Sequence, residues 1–388
     1  MKKSLIALAA LAATGAFAQS SVQIDGIFDA GVQQINYKGN TVSGANGNGS
    51  STSQLNIRGS EDLGGGLKAE FRVETDWSTM SNMANQGVAA STNATTAANS
   101  INGAAGTFGN GEIRGGLVGG FGRIDAGAVN YNTLSTYVTG QPFGTAIGSG
   151  FRTFYINDAQ GTSQVRAENA IKYVSPDVMG FKASLYYSAK QTSAANAAAA
   201  STATNGLTNQ ANAFGGLGAY DQFGTQEVGL NYANGPLAAS FSSLKQDFVG
   251  IQTPTSSMAA VGSTTRTVNT LGANYTMGAA KLLGLYQTNK TNTSSVNNTA
   301  MSLSGTYTMG AVVLMAQVGE LKNDVNNTKT KLTGLGADYN LSKMTAIYFR
   351  AESIDDKAGA VQAAVTPLQI KGTGTTFART AVGVRIGF

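Results

Sequence analysis

Between Gln54 and Glu74 the chain alternates strictly between apolar and polar positions, in two runs joined by glycines. Leu55 and Ile57 fall on one side of the first run, with Gln54, Asn56 and Arg58 on the other. In the second run Leu67, Ala69, Phe71 and Val73 oppose Lys68, Glu70, Arg72 and Glu74. A period of two marks strands, and Gly64-Gly65-Gly66 supplies the positive-φ positions of a tight reversal. The polar side carries charges of both signs. Such a face could meet water in a soluble sheet or line the lumen of a transmembrane barrel.

The same period recurs to the end of the chain. Val22, Ile24, Gly26, Phe28, Ala30 and Val32 alternate with Gln23, Asp25 and Asp29; Val382, Val384, Ile386 and Phe388 alternate with Arg379, Gly383 and Arg385. The pattern predicts sixteen strands, over 22–34, 53–60, 67–75, 109–119, 122–130, 166–175, 180–190, 226–233, 237–247, 267–275, 279–290, 299–307, 311–323, 328–340, 344–353 and 376–388. Residues 39–53, 78–108, 131–165, 191–224, 248–265, 291–298, 324–327 and 354–375 are predicted as polar connections, and short turns alternate with them. Tyr173, Tyr232, Tyr275, Tyr307 and Tyr339 each close a strand just before a short turn. In an up-and-down barrel every second connection lies on one rim. Tyrosines gathered on that rim suit a membrane interface, ring in lipid and hydroxyl among headgroups. A sixteen-strand barrel is wide enough for an aqueous channel, and it needs its last strand to pair with its first.

Composition sharpens the choice. Charged residues make up 12% of the 388, about half the share usual in soluble domains. Lys2 and Lys3, the apolar run Leu5–Ala13 and Ala16-Phe17-Ala18 form the three parts of a secretory signal over residues 1–18, leaving 19–388 as the barrel. Without those two lysines the formal charge falls from +5 to +3, and the remaining cations are scattered, so no nucleic-acid partner is expected. The chain has no cysteine and therefore no disulfides. It has no histidine either, which removes the usual base of a nucleophilic hydrolase and the imidazole ligands of a metal site. No enzyme and no cofactor is expected; carboxylates could at most hold Ca²⁺ or Mg²⁺ structurally.

The quoted runs resemble a general bacterial porin of the trimeric, sixteen-stranded, beta-proteobacterial type. The resemblance is carried by Ser20-Ser21-Val22 with Asp25-Gly26 and Asp29-Ala30-Gly31-Val32, by Gly59-Ser60-Glu61-Asp62-Leu63-Gly64-Gly65-Gly66-Leu67-Lys68-Ala69, and by Gly119-Gly120-Phe121-Gly122. Arg166-Ala167-Glu168-Asn169-Ala170-Ile171-Lys172-Tyr173-Val174-Ser175-Pro176 and the terminal Gly383-Val384-Arg385-Ile386-Gly387-Phe388 complete it. It implies an all-β, antiparallel transmembrane barrel in the outer membrane, assembled as a homotrimer among outer-membrane lipids and lipopolysaccharide. It also implies that loop 131–165 folds inward as the constriction, with a ladder of basic residues facing acidic ones. Arg166 matches the family's strand-six arginine and Glu74 an acidic position after the hairpin. Gln54 stands where the family often has an arginine, and arginines common in the family are missing or displaced around Glu112–Arg114 and at Ala128. The implied constriction field is correspondingly weak.

Candidate pore-lining residues are Arg58, Lys68, Glu70, Arg72, Glu74, Glu112, Arg114, Arg123, Arg166 and Lys172 on the early strands, with Arg152 and Asp158 on loop 131–165. Charged side chains on a pore wall select ions. Equally, the cations could simply bridge to Glu70, Glu74 and Glu112 along the wall, and Arg152 or Asp158 could anchor the loop. The function these residues suggest is passive diffusion of small hydrophilic solutes and ions. A sugar or organic-anion channel using the aromatics of 131–165, and a non-conducting adhesin barrel, are the alternatives.

Overall fold

The computed structural model describes residues 20–37, 40–77, 79, 108–151, 165–188, 224–248, 264–292, 297–356, 364–365, 370–371 and 375–388. The predicted signal segment lies outside them, as do Arg152 and Asp158. The elements in order are β1 (Ser21–Tyr37), β2 (Asn40–Asn46), β3 (Gln54–Gly64), β4 (Leu67–Asp76), β5 (Ile113–Gly119), β6 (Gly122–Asn130) and helix α1 (Asn132–Thr139). Then follow β7 (Arg166–Val174), β8 (Phe181–Ser188), β9 (Gly224–Asn234), β10 (Leu237–Phe248), β11 (Thr264–Met277), β12 (Ala280–Thr291) and β13 (Asn297–Met309). The chain ends with β14 (Val312–Asn323), β15 (Thr328–Asn340), β16 (Thr345–Asp356), the short pair β17 (Ala364–Val365) and β18 (Ile370–Lys371), and β19 (Thr375–Gly387).

Each long strand pairs antiparallel with its neighbour, and β19 pairs with β1 from Ile27↔Gly387 to Tyr37↔Phe377, closing the ring. The other edge of β1 is shared: Ser21–Ile27 pairs with β3, and Gly31–Tyr37 with β2. β2 and β3 therefore fill one position, and the barrel has sixteen. Closure is completed by two backbone bonds, Gly26 N–H to the Phe388 carbonyl at 3.0 Å and Phe388 N–H to the Gly26 carbonyl at 3.1 Å. The Phe388 ring lies where a Cβ on Gly26 would stand, 2.6 Å away, so only glycine fits there. In the opening hairpin Phe71 covers its cross-strand partner Gly59 in the same way.

The two faces separate as the alternation requires. Leu271, Tyr286, Leu303, Val318 and Leu335 are exposed on one, while Thr270, Gln287, Ser302, Gln317 and Thr330 are buried on the other. The five turn-side tyrosines keep the parity of the apolar face; Tyr275, Tyr307 and Tyr339 are about half exposed on it.

Four expectations change. Residues 39–53, expected as loop, contain β2, whose Thr41 and Ser43 accept hydrogen bonds from Asn36 and Gln34 of β1. Its polar composition hides it from a hydrophobic pattern. Segment 131–165, expected as loop, begins with α1, and 354–375 contains the β17–β18 pair. The strand expected over 109–119 begins at Ile113, though Gly111 and Glu112 still exchange backbone bonds with Glu74.

The short turns after β9, β11 and β13 begin with Gly235, Gly278 and Gly310 at φ +57 to +58, the first-position conformation of a type II′ hairpin turn. No atom lies within 4 Å of a Cβ built on any of them, so a side chain there meets only backbone strain. Gly278→Ala and Gly310→Ala are each expected to destabilise the folded barrel by about 1–2 kcal/mol. Gly284→Ala, inside β12 and facing outward with 4.0 Å to its nearest neighbour, should change little. Urea unfolding of the three variants in lipid vesicles, followed by fluorescence, makes the comparison.

Candidate pore lining and inward segment

The polar faces of β3 to β6 bring seven of the predicted residues into one network. Arg72 reaches Asn56 Oδ1 at 2.8 and 3.1 Å, Glu74 at 2.7 Å and Glu112 at 2.7 Å. Arg114 bridges Glu112 at 3.3 Å and Asp125 at 3.1 Å. Arg123 bridges Asp125 at 2.6 Å and Glu70 at 2.7 Å. Arg58 pairs with Asp25 of β1 at 2.8 Å, and Asp25 also accepts from Asn56 at 2.9 Å. Four arginines thus meet the carboxylates of Asp25, Glu70, Glu74, Glu112 and Asp125. The acids stand on the same or adjoining strands, where the family resemblance led us to expect them across the lumen.

Lys172 and Arg166 of β7 adjoin this network through Asn130. Lys172 Nζ donates to the Asn130 carbonyl at 2.8 Å, and Arg166 donates to Asn130 Oδ1 at 3.1 Å and the Asn110 carbonyl at 2.8 Å. Their expected common face is interrupted. The register shifts between Gly127 and Val129, so that Glu168 and Asn169 together oppose Ala128, with Asn169 at φ 51. This bulge takes Arg166 off the face that carries Lys172 and places it at the strand's start. Lys68 stands apart, exposed at the short-turn end of β4 and opposite Asp62. Sequence reasoning missed Asp125, although it alternates in phase with Arg123, and Asn56 and Asn130, whose importance depends on register.

Residues 131–151 lie against the polar face, held at both ends by wall carboxylates. Glu227 of β9 accepts the Asn132 and Thr133 N–H groups and the Thr133 hydroxyl, the last two at 2.6 and 2.7 Å. These are first-turn amides of α1 with no intrahelical partner, and a carboxylate there also suits the helix dipole. Asn231 Nδ2 donates to Asn132 Oδ1 at 2.8 Å, the Thr136 and Ser240 hydroxyls are 2.6 Å apart, and Asn274 donates to the Thr139 carbonyl at 2.9 Å. A Cβ on Gly272 would lie 2.2 Å from the Thr136 carbonyl oxygen, so the wall must be bare at that point.

At the far end Glu352 of β16 accepts Gly148 N–H at 3.0 Å and Gly150 N–H at 2.7 Å through one oxygen. Its other oxygen takes two donors of Arg379, both at 2.9 Å. Between the clamps Tyr137 and Phe151 pack with Leu285, Leu321, Leu332, Ile354 and Phe377. A third carboxylate acts alike on the turn before β3: Asp29 accepts from the N–H groups of Gly49, Ser50 and Ser51 at 3.3, 2.8 and 2.8 Å, and from the Tyr348 hydroxyl at 2.6 Å. Glu227 was readable only as the lone charged member of an otherwise neutral inward face, and Glu352 only as one of three charged residues on its face, with Arg350 and Asp356. Among the described residues no group of three or more carboxylates is placed to hold a metal ion.

The sequence matches the Gram-negative porin family over residues 4–359. It is 32% identical over 408 aligned positions to outer membrane porin protein 32 of Delftia acidovorans, covering 100% of this chain and 99% of that protein. It is 29% identical over 256 positions to the major outer membrane protein P.IB of Neisseria gonorrhoeae, covering 64% of this chain and 58% of that one. The structure is similar to the anion-selective porin from Comamonas acidovorans, with a TM-score of 0.69 and 26% identity over 95% of this chain and 100% of that one. It shares its fold with the trimer form of OmpT, an outer membrane protein of Vibrio cholerae, at a TM-score of 0.62 and 13% identity over 95% and 99% of the two chains. The chain belongs to the Gram-negative porin family and is a sixteen-stranded β-barrel of the outer membrane.

Proposed function

We propose that the barrel is a passive, water-filled diffusion pore for small hydrophilic solutes and ions, working as a homotrimer, with weak charge selectivity. The observation that carries the weak selectivity is the pairing of Arg58, Arg72, Arg114 and Arg123 with carboxylates 2.6–3.3 Å away on the same side of the wall. Opposite charges that close present a permeating ion with a dipole, whose influence falls faster with distance than that of a free charge. The segment that starts with α1 is the inward-folded third loop and narrows the lumen. The pore wall comprises Arg58, Lys68, Glu70, Arg72, Glu74, Glu112, Arg114, Arg123 and Lys172, with Arg166 at the rim and Arg152 and Asp158 as the loop's charged members. Lys68, Lys281 and Arg385 are inward cations at the short-turn ends of their strands with no ion pair among the described residues, and they bias entry toward anions. The anion selectivity of the Comamonas relative agrees with that sign. A sugar channel is disfavoured because Tyr137, Phe143 and Phe151 are buried in packing rather than presented to solute.

Purified trimer in a planar bilayer under a salt gradient should give stepwise ohmic openings with a small reversal potential. The absence of openings over many insertions would overturn the pore. In the same assay Gln54→Arg is expected to move the reversal potential toward the anion value; an unchanged potential would remove Gln54 from the constriction.

Charge pairing has its own test. Asp125→Asn removes one of the two carboxylates that each of Arg114 and Arg123 meets, leaving a net positive charge there, and should shift selectivity toward anions. Arg123→Gln leaves Asp125 and Glu70 in excess and should shift it toward cations. The double variant should return close to the parent, and simple additivity without opposite signs would refute local neutralisation.

Glu227→Gln and Glu352→Gln each remove a charge-assisted clamp worth about 1.5–3 kcal/mol. Each is expected to add fluctuation to the open-channel current while leaving barrel stability near that of the parent. Quiet currents in both variants would show that apolar packing alone holds the segment.

A further inference from the structure

Ser302 and Ser304 of β13 and Gln317 of β14 face inward near the middle of the wall and are 8%, 4% and 1% exposed. Both hydroxyls and both polar atoms of the Gln317 carboxamide make no hydrogen bond among the described residues. Ser304 and Gln317 are directly opposed, and Ser302, two residues along the same face, opposes Gly319. Residues 131–151 pass over this patch without bonding to these four atoms. On one side Gly140 lies against Gly284 and Leu285 of β12; on the other Phe143 and Gly148 lie against Gly336 and Gly334 of β15. β13 and β14 stand between those contacts. Within the span the Gln141 carboxamide is used up locally, donating to the Gly144 carbonyl at 2.6 Å and accepting the Phe143 N–H at 2.7 Å. Pro142 has no N–H to give.

The segment meets the wall differently on either side of the patch. Glu227, Asn231, Ser240 and Asn274 bond directly to α1 or its end, and Glu352 bonds directly to Gly148 and Gly150. Over β13 and β14 the wall offers two hydroxyls and a carboxamide, and the segment offers them nothing. Polar side chains buried in a native wall find a partner, in protein or in ordered water. A buried water makes about three hydrogen bonds to groups of this kind. Opposed residues on antiparallel strands have Cβ atoms about 5 Å apart, and a neighbour two along lies about 7 Å away. One water at hydrogen-bond length bridges such gaps. The facing positions Gly319 and Gly334 carry no side chain to fill the space. Leu285, Ala300 and Leu321, packed with Tyr137 and Phe151, border the patch on the side of the longer connections.

We propose that Ser302, Ser304 and Gln317 hold ordered water beneath residues 141–147, and that this hydrated seat sets how far the segment stands into the lumen. Water donates to Gln317 Oε1 and accepts from Nε2, while each serine hydroxyl turns to either role. The carboxylates of Glu227 and Glu352 fix the ends of the segment by direct contact; the seat fixes its middle through a layer one water thick. The three side chains are positioning residues, covered by the segment and acting on the solute path only through it. The inference rests on the reading of this segment as the loop that narrows the lumen.

S302A/S304A/Q317M removes all four polar atoms and keeps the length of the Gln317 side chain. With no partners left for water, residues 141–147 are expected to settle onto the wall. Single-channel conductance in a planar bilayer should then rise beyond the spread of parent levels, and larger sugars should enter proteoliposomes faster in a swelling assay. Conductance and swelling equal to or below those of the parent would overturn the proposal. G272A is the control, because its Cβ would collide with the Thr136 carbonyl and push α1 off the wall; it is expected to lower conductance. A change in G272A with none in the triple variant would sink the hydrated seat alone, whereas no change in either would overturn both the seat and the narrowing segment. Crystals of the parent give a direct view that needs no variant. Density for water within hydrogen-bond distance of Gln317 and a serine is the expected result, and Gln317 bonded directly to the main chain of 141–147 without water would overturn it. Should the triple variant not fold, S304A alone removes one partner and should give a smaller rise.

Discussion

Backbone hydrogen bonding in lipid is the constraint on which the rest depends. An unpaired amide or carbonyl in hydrocarbon costs several kcal/mol, so a sheet that spans a membrane cannot keep an edge. Here the edge is removed by β19 returning to β1, and the final residue takes part: Phe388 exchanges backbone bonds with Gly26 and lays its ring over it. Closure then divides every strand between two solvents. The outward set can be as apolar as its membrane allows, while the inward set must find water, partners or buried backbone.

The inward carboxylates meet that demand in two ways. Where the wall is short and lightly covered, on β3 to β6, they pair with arginines. Where chain folds against the wall they take up backbone amides that no strand satisfies, three at Asp29, two at Glu227 and two at Glu352. A main-chain donor buried in a barrel is as costly as one buried elsewhere, and a carboxylate on a rigid strand is a strong acceptor for a loop. Glu227 and Glu352 sit on strands seven positions apart in the ring, so the segment between them is held from two well-separated sides of the barrel.

Much of this was legible from a period of two. The sixteen positions, the two faces and the turn-side tyrosines follow from alternation, because one side of every strand meets lipid. What stayed hidden depends on contacts distant in sequence. β2 is polar throughout and is recognisable only by its register with β1. α1 turns Asn132, Thr133 and Thr136 to the wall, so it shows no apolar stripe, and its cap, Glu227, lies about a hundred residues away. The bulge at Asn169 moves Arg166 out of phase with Lys172, which counting by twos cannot foresee. Asp125 could have been named with Arg123 from parity alone; that it serves both Arg114 and Arg123 needed the register of β5 on β6.

Where charge is left uncompensated bears on what the pore can distinguish. Along β3 to β6 each arginine has an acid within 3.3 Å, far inside a Debye length of about 8 Å at physiological salt, so an ion passing the wall meets both signs nearly at once. Among the described residues Lys68, Lys281 and Arg385 lack such partners, but they stand near a mouth rather than beside the inward segment. A charge at a mouth raises the local concentration of counter-ions and is screened by salt; a charge at a narrow section alters the barrier itself. Selectivity arising from these three cations should therefore fade as ionic strength rises, whereas selectivity produced by breaking a pair on β4 to β6 should persist.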